Sequence, residues 1–135
     1  MQIRTVLLVD DDPNIRRITE ICLSRMGDWN VTVAASGPAA MEILKDFVPD
    51  LIVSDVMMGS MDGPTLYKLI RQDPKLDGVP VIFMTAKAQM DEIESLYRSG
   101  VSGVITKPFD PMTLCDDVDK FLAYETRILR QVCVA

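Results

Sequence analysis

Four polar positions or clusters in this chain each follow a run of apolar residues. Asp10-Asp11-Asp12 follows Val6-Leu7-Leu8-Val9, and Asp55 follows Leu51-Ile52-Val53-Ser54. Thr85 follows Val81-Ile82-Phe83-Met84, and Lys107 follows Val104-Ile105-Thr106. Carboxylates, a hydroxyl and an ammonium gathered at one place form a site for a hard cation and an anion. Two or three carboxylates within ~4–5 Å repel by a few kcal/mol at an effective dielectric near ~20. A divalent cation relieves that repulsion, and clustered oxygen ligands on a small site select Mg²⁺ or Mn²⁺. The lysine offers a second cation, able to pair with a carboxylate or another anion. The chain contains no histidine, which excludes imidazole catalysis and imidazole metal ligation.

The elements that must position these residues follow from the apolar spacing. Ile3–Val9 is a continuous apolar run, the mark of a strand covered on both faces. Asp12-Pro13 offers an N-cap and a proline at the first helical position, and a helix with Ile15, Ile18, Ile21 and Cys22 at helical spacing runs to Gly27. Asn30–Ala34 predicts a second strand, a second helix from Ser36 carries Ala40, Met41, Ile43, Leu44 and Phe47, and Leu51–Ser54 predicts a third strand. Asp55–Gly63 is a glycine-bearing loop ahead of a third helix from Pro64 to about Gln72. Val79–Met84, Lys87–Ser99, Gly103–Thr106 and a last helix from Asp110-Pro111 through Leu122 complete the pattern. Strands alternating with helices predict an α/β fold: a five-stranded parallel sheet, doubly wound, with five helices. In such a sheet a ligand sits past the carboxyl ends of the strands. The polar residues named above occupy those ends.

Length and composition narrow the function classes. A chain of 135 residues, 48% hydrophobic and 25% charged, predicts one globular domain. No apolar run approaches the ~18–20 residues of a membrane span, and residues 1–9 lack the organisation of a signal peptide. A net charge of −6 argues against direct nucleic-acid binding and against adhesion to an anionic membrane. Cys22, Cys115 and Cys133 are odd in number and widely spaced, which excludes a disulfide framework and suits the cytoplasm.

Taken in order, Val9-Asp10-Asp11-Asp12-Pro13, Ser54-Asp55, Met61-Asp62-Gly63-Pro64, Thr85-Ala86 and Lys107-Pro108-Phe109 resemble the receiver domain of two-component response regulators, from about Ile3 to Leu122. The resemblance implies the flavodoxin-like strand order 2-1-3-4-5, and it implies that Asp55 accepts a phosphoryl group from a phosphohistidine on a histidine kinase or a histidine phosphotransfer protein. It implies that Asp11 binds Mg²⁺ (Mn²⁺ possible) directly and Asp10 mainly through water, with Asp55 and the main-chain carbonyl of Met57 completing the set. Thr85, Ala86 and Lys107 would bind the phosphoryl group, and Thr85 would pull the Thr85–Lys87 loop and reposition the fourth helix toward an unknown effector. Lys107-Pro108 is a candidate cis peptide. The expected protein is a signalling domain, not an enzyme, catalysing only its own phosphorylation and slow dephosphorylation, as a monomer or a phosphorylation-dependent dimer. Residues 1–124 form the expected domain and 125–135 a tail, helix extension or linker stub, with a free-standing regulator preferred.

The chain departs from the family pattern at three places. Val104 stands where an aromatic switch residue is usual; Tyr97 on the fourth helix is a candidate substitute, with a core or boundary tyrosine on the helix face the preferred reading. The loop Met58-Gly59-Ser60-Met61-Asp62-Gly63 has Gly59 in place of the usual proline, which predicts a looser loop. Met57 and Lys87, two residues past Asp55 and Thr85, flank the path of an attacking water, and Met57 has no group to orient it. Arg16 and Arg17, just past the acidic cluster, are candidates for a partner-facing surface. Two rivals compete with the receiver reading: a phosphorylation-independent binding module on the same fold, and a haloacid-dehalogenase-like phosphatase using Asp10, Asp12, Thr85 and Lys107. The second lacks a late acidic pair at a strand end and leaves Asp55 without a task.

Overall fold

A computed structural model of the chain describes residues 3–86 and 89–123. The strands are β1 (Thr5–Val9), β2 (Asn30–Ala34), β3 (Leu51–Asp55), β4 (Val81–Thr85) and β5 (Gly103–Thr106). All neighbours pair in parallel, in the order β2-β1-β3-β4-β5. The inner strands are the three with unbroken apolar runs, because only a strand covered on both faces can carry them. The helices are α1 (Pro13–Met26), α2 (Gly37–Leu44), α3 (Gly63–Arg71), α4 (Met90–Arg98) and α5 (residues 114–123), with a 3₁₀ turn at Pro74–Leu76. This is the α/β architecture expected from the apolar pattern.

Several boundaries move for local hydrogen-bonding reasons. Ile3 is buried but lies outside the ladder, because the N–H groups of Arg4 and Thr5 are taken by the Asp50 carboxylate. The fourth strand begins at Val81, since the Val79 N–H closes on the Leu76 carbonyl and Pro80 has none to offer. The second helix stops at Leu44 instead of reaching Phe47, where Lys45 and Asp46 tighten onto carbonyls three residues back. The fourth helix opens at Met90; Lys87, assigned to its start and to the site rim above, lies outside the described residues, as does the tail at 125–135. At its far end Gly100 takes φ +106°, which only glycine adopts readily, as its N–H closes on the Tyr97 carbonyl.

Side chains alternate across the sheet, so each strand feeds two cores. Leu7, Val9, Ile52, Val81 and Phe83 pack under α2 and α3, where Leu44, Leu66 and Ile70 are fully buried. Val6, Leu8, Leu51, Val53, Ile82, Met84 and Ile105 pack on the other face against Leu23 of α1 and Leu114 and Val118 of α5. Among the described residues no helix is long and apolar enough to cross a membrane.

Asp50 fixes the start of β1. Its Oδ2 accepts from the N–H of Arg4 (2.9 Å), the N–H of Thr5 (3.0 Å) and the Thr5 hydroxyl (3.2 Å). The Arg4 and Thr5 amides hold its carboxyl below the usual carboxylate range. A lowered pKa stabilises the fold above the ordinary carboxylate value, and that contribution disappears as pH falls through the lowered one. Asp50→Ala should therefore cost about 2 kcal/mol at neutral pH, read by denaturant titration through Trp29, the single tryptophan. The gap from wild type should narrow in acid; a gap that widens there contradicts the assignment.

Candidate functional site

The same alternation explains which strand-end residues meet. Asp10 continues the parity of Val6 and Leu8, Asp55 that of Leu51 and Val53, and Lys107 that of Ile105, so all three share the face toward α1 and α5. Lys107 Nζ donates to Asp10 Oδ2 at 3.0 Å and lies 3.4 Å from Asp55 Oδ1. One carboxylate oxygen from each of Asp10, Asp11 and Asp55 lies within 4.8 Å of the others. Asp10, Asp11, Asp55 and Lys107 thus come together at the carboxyl ends of β1, β3 and β5.

Each carboxylate is held differently. Asp10 is 1% exposed, and all its polar atoms are engaged. Its N–H donates to the Ala34 carbonyl, its Oδ1 accepts from the Asp12 N–H (3.0 Å), its Oδ2 accepts from Lys107, and its carbonyl accepts from Arg16 Nη1 (2.9 Å). Asp11 is exposed, and its Oδ2 accepts from the Gly59 N–H at 3.2 Å. Proline, usual at position 59 in the resembling family, has no N–H, so the departure gives Asp11 a partner. Asp55 is buried, and burial pushes its carboxyl above the usual range; the Lys107 charge opposes that rise, Asp10 adds to it, and hydrogen bonds from Lys107 and the Met57 N–H lower it.

The loop behind the site is closed tightly. Val56 donates to the Met84 carbonyl and Gly63 donates to the Val56 carbonyl. A Cβ at Gly63 would lie 2.6 Å from the Asp55 carbonyl oxygen, so glycine is required there by the close approach of backbone. Asp62 caps α3 through the Thr65 N–H.

The remaining candidates divide. Thr85 is 1% exposed at the end of β4, but its parity is that of Val81 and Phe83, so it sits on the other face from Asp55. Its carbonyl accepts the Lys107 N–H at 2.7 Å, and the exposed Ala86 follows. Lys107-Pro108 is cis, as expected. Asp12 stands apart from the cluster as the N-cap of α1, accepting from the N–H groups of Asn14 and Ile15. Val104 is buried, and the Tyr97 hydroxyl accepts its backbone N–H at 3.1 Å. Met57 is 56% exposed beside the site. Arg16 and Arg17 were candidates for a partner-facing surface or a solvated charged face. Only Arg17 faces outward, paired with Glu20, while Arg16 turns back to Asp10.

The donor set fits a hard dication. Three carboxylates converge, two of them on one ammonium, all donors are oxygens, and the mutual repulsion matches what Mg²⁺ relieves.

Comparisons with known proteins agree with this geometry. Residues 6–119 match the family described as the response regulator receiver domain. The chain is similar to the response regulator Rre1 of Synechocystis sp., 34% identical over 119 residues that cover 88% of this chain and 52% of that protein, so it spans about half that relative's length. It is similar to chemotaxis protein CheY-3 of Vibrio cholerae, 38% identical over 85% of this chain and 88% of that one. The solved structure of chemotaxis response regulator CheY4 of Vibrio cholerae superposes with a TM-score of 0.81 at 28% identity, covering 88% of this chain and 98% of that one.

Proposed function

We propose, from the premise that this chain belongs to the response-regulator receiver family, that Asp55 is its phosphoacceptor and that Asp10, Asp11, Thr85, Ala86 and Lys107 serve the transfer. The observation that carries the assignment is the shared pocket: three carboxylates within 4.8 Å of one another, with Lys107 Nζ between two of them. The donor is a phosphohistidine of a histidine kinase or phosphotransfer protein, whose N–P bond breaks as an Asp55 O–P bond forms. Lys107 moves from its carboxylate partners to a phosphoryl oxygen as negative charge accumulates there. Mg²⁺ held by Asp10, Asp11, Asp55 and the Met57 carbonyl would supply positive charge to the phosphoryl oxygens. Thr85 follows the new oxygens from the adjacent strand end, and the Thr85–Lys107 backbone link carries the movement into β5.

Transfer of label from an autophosphorylated kinase core, giving a product cleaved by hydroxylamine as acyl phosphates are, tests the assignment. A phosphoryl group stable to hydroxylamine, or none at all, removes it. The chain acts as a signalling domain, with residues 1–124 as the unit.

Met57, exposed and two residues past Asp55, offers no side-chain polar group to orient an attacking water. The acyl phosphate should therefore persist for many minutes or longer without a phosphatase, followed by label loss after donor removal. A half-life of seconds contradicts that expectation.

A further inference from the structure

We infer that Arg16 is a positioning residue for the cation site, acting through the main-chain carbonyl of Asp10. This inference rests on reading the acidic cluster as a cation site. Asp10 lies one residue past the end of β1, where the pairing of Val9 with Ala34 and Ser54 is the last register of the ladder. Its carbonyl therefore has no strand partner ahead of it, and a recessed carbonyl without a partner is costly. Arg16 supplies the donor: Nη1 lies 2.9 Å from that oxygen.

The helix start makes this reach possible. Asp12 caps α1 and Pro13 opens it, so Arg16 is the fourth helical residue, its N–H bonded to the Asp12 carbonyl at 2.9 Å. Helical side chains lean toward the N-terminus, which aims Arg16 back at the end of β1. Arg17 is rotated about 100° around the helix, and it pairs with Glu20 in solvent.

Asp10, Asp11 and Asp12 all lie nearby, yet among the described residues Arg16 forms no ion pair and donates to a carbonyl instead. Its role is accordingly to hold the Asp10–Asp12 backbone that carries two of the three carboxylates. Groups that orient metal ligands in this way commonly affect metal affinity by about 10–100-fold. Lys107 differs in kind, because it competes with a cation for the carboxylate oxygens themselves.

The test measures Mg²⁺ affinity by calorimetry on the unphosphorylated full chain, comparing wild type with Arg16→Met, Arg16→Lys and Arg17→Ala, and checks folding of each by thermal melt. Arg16→Met keeps the apolar stem and removes the donor, and it should weaken Mg²⁺ binding about tenfold. Arg16→Lys keeps a donor and should stay within about threefold, while Arg17→Ala should match wild type. Charge alone predicts the opposite sign, since removing a cation near the site should tighten Mg²⁺ binding. Affinity in Arg16→Met equal to or tighter than wild type, or Arg16→Lys as weak as Arg16→Met, overturns the inference. A wild-type chain that binds no Mg²⁺ removes the underlying site reading instead.

Discussion

Asp55→Asn should lose all phosphoryl acceptance and, in chelator, unfold at a higher temperature than wild type. The first effect follows because the amide oxygen cannot form the acyl phosphate, and no other carboxylate occupies the end of the central strand beside Lys107. Intact-mass measurement after treatment with a small acyl phosphate and Mg²⁺ should show one added group in wild type and none in the variant. The second follows from electrostatics. Burial raises the Asp55 carboxyl above its ordinary range and Asp10 adds to the rise, while Lys107 opposes it. The folded chain therefore holds a proton at Asp55 more tightly than the unfolded chain, so ionisation costs stability as pH rises through the carboxylate range. Removing the charge should recover about 1 kcal/mol at neutral pH, roughly 3–5 °C for a domain of this size. The gain should vanish in acid, where Asp55 is protonated in both states. Residual phosphorylation of Asp55→Asn, or a gain that persists unchanged in acid, contradicts the assignment.

Lys107→Met should move stability in the opposite direction and also slow phosphoryl transfer. In chelator the variant leaves Asp10 and Asp55 without the ammonium that lies 3.0 and 3.4 Å from them, and it should lose about 3 kcal/mol of stability. Mg²⁺ should bind it more tightly than wild type, by about tenfold, because the competing cation is gone. Saturating Mg²⁺ should then restore most of the lost stability by mass action. Phosphoryl transfer should still slow about a hundredfold, since the donor aimed at the developing phosphoryl charge is absent. Thermal melts across a Mg²⁺ titration check the first part and single-turnover labelling the second. Weaker Mg²⁺ binding in Lys107→Met contradicts the competitive role of the lysine.

The site was legible in the sequence because strand ends in a parallel α/β sheet are marked twice, by the apolar run that precedes them and by the turn residues that follow. Asp10, Asp55, Thr85 and Lys107 each ended such a run, and the sheet order brought them to one edge. Asp12 was legible as the cap of α1 from the proline that follows it. Two features were hidden for physical reasons. Arg16 and Arg17 are adjacent and identical in type, and the helix rotation between them separates one inner and one outer side chain. The strand limits at Thr5 and Val81 depend on the Asp50 carboxylate and on the Leu76 carbonyl, contacts that apolar periodicity does not register. Tyr97 was named as a substitute for the missing aromatic at position 104. It is partly exposed, the boundary position preferred for it, and its hydroxyl accepts the Val104 amide, tying α4 to β5.

The most direct measurement of the central claim is a ¹⁵N amide titration of the full chain, first with Mg²⁺ and then with fluoroberyllate as a phosphoryl mimic. One pocket shared by cation and anion predicts that Mg²⁺ shifts the amides of Asp11, Asp12, Met57 and Gly59. The mimic should then shift Thr85, Ala86 and Lys107, only when Mg²⁺ is present, with the change reaching Val104. Mimic binding that ignores Mg²⁺, or Mg²⁺ shifts confined to acidic residues away from Asp55, would contradict the account.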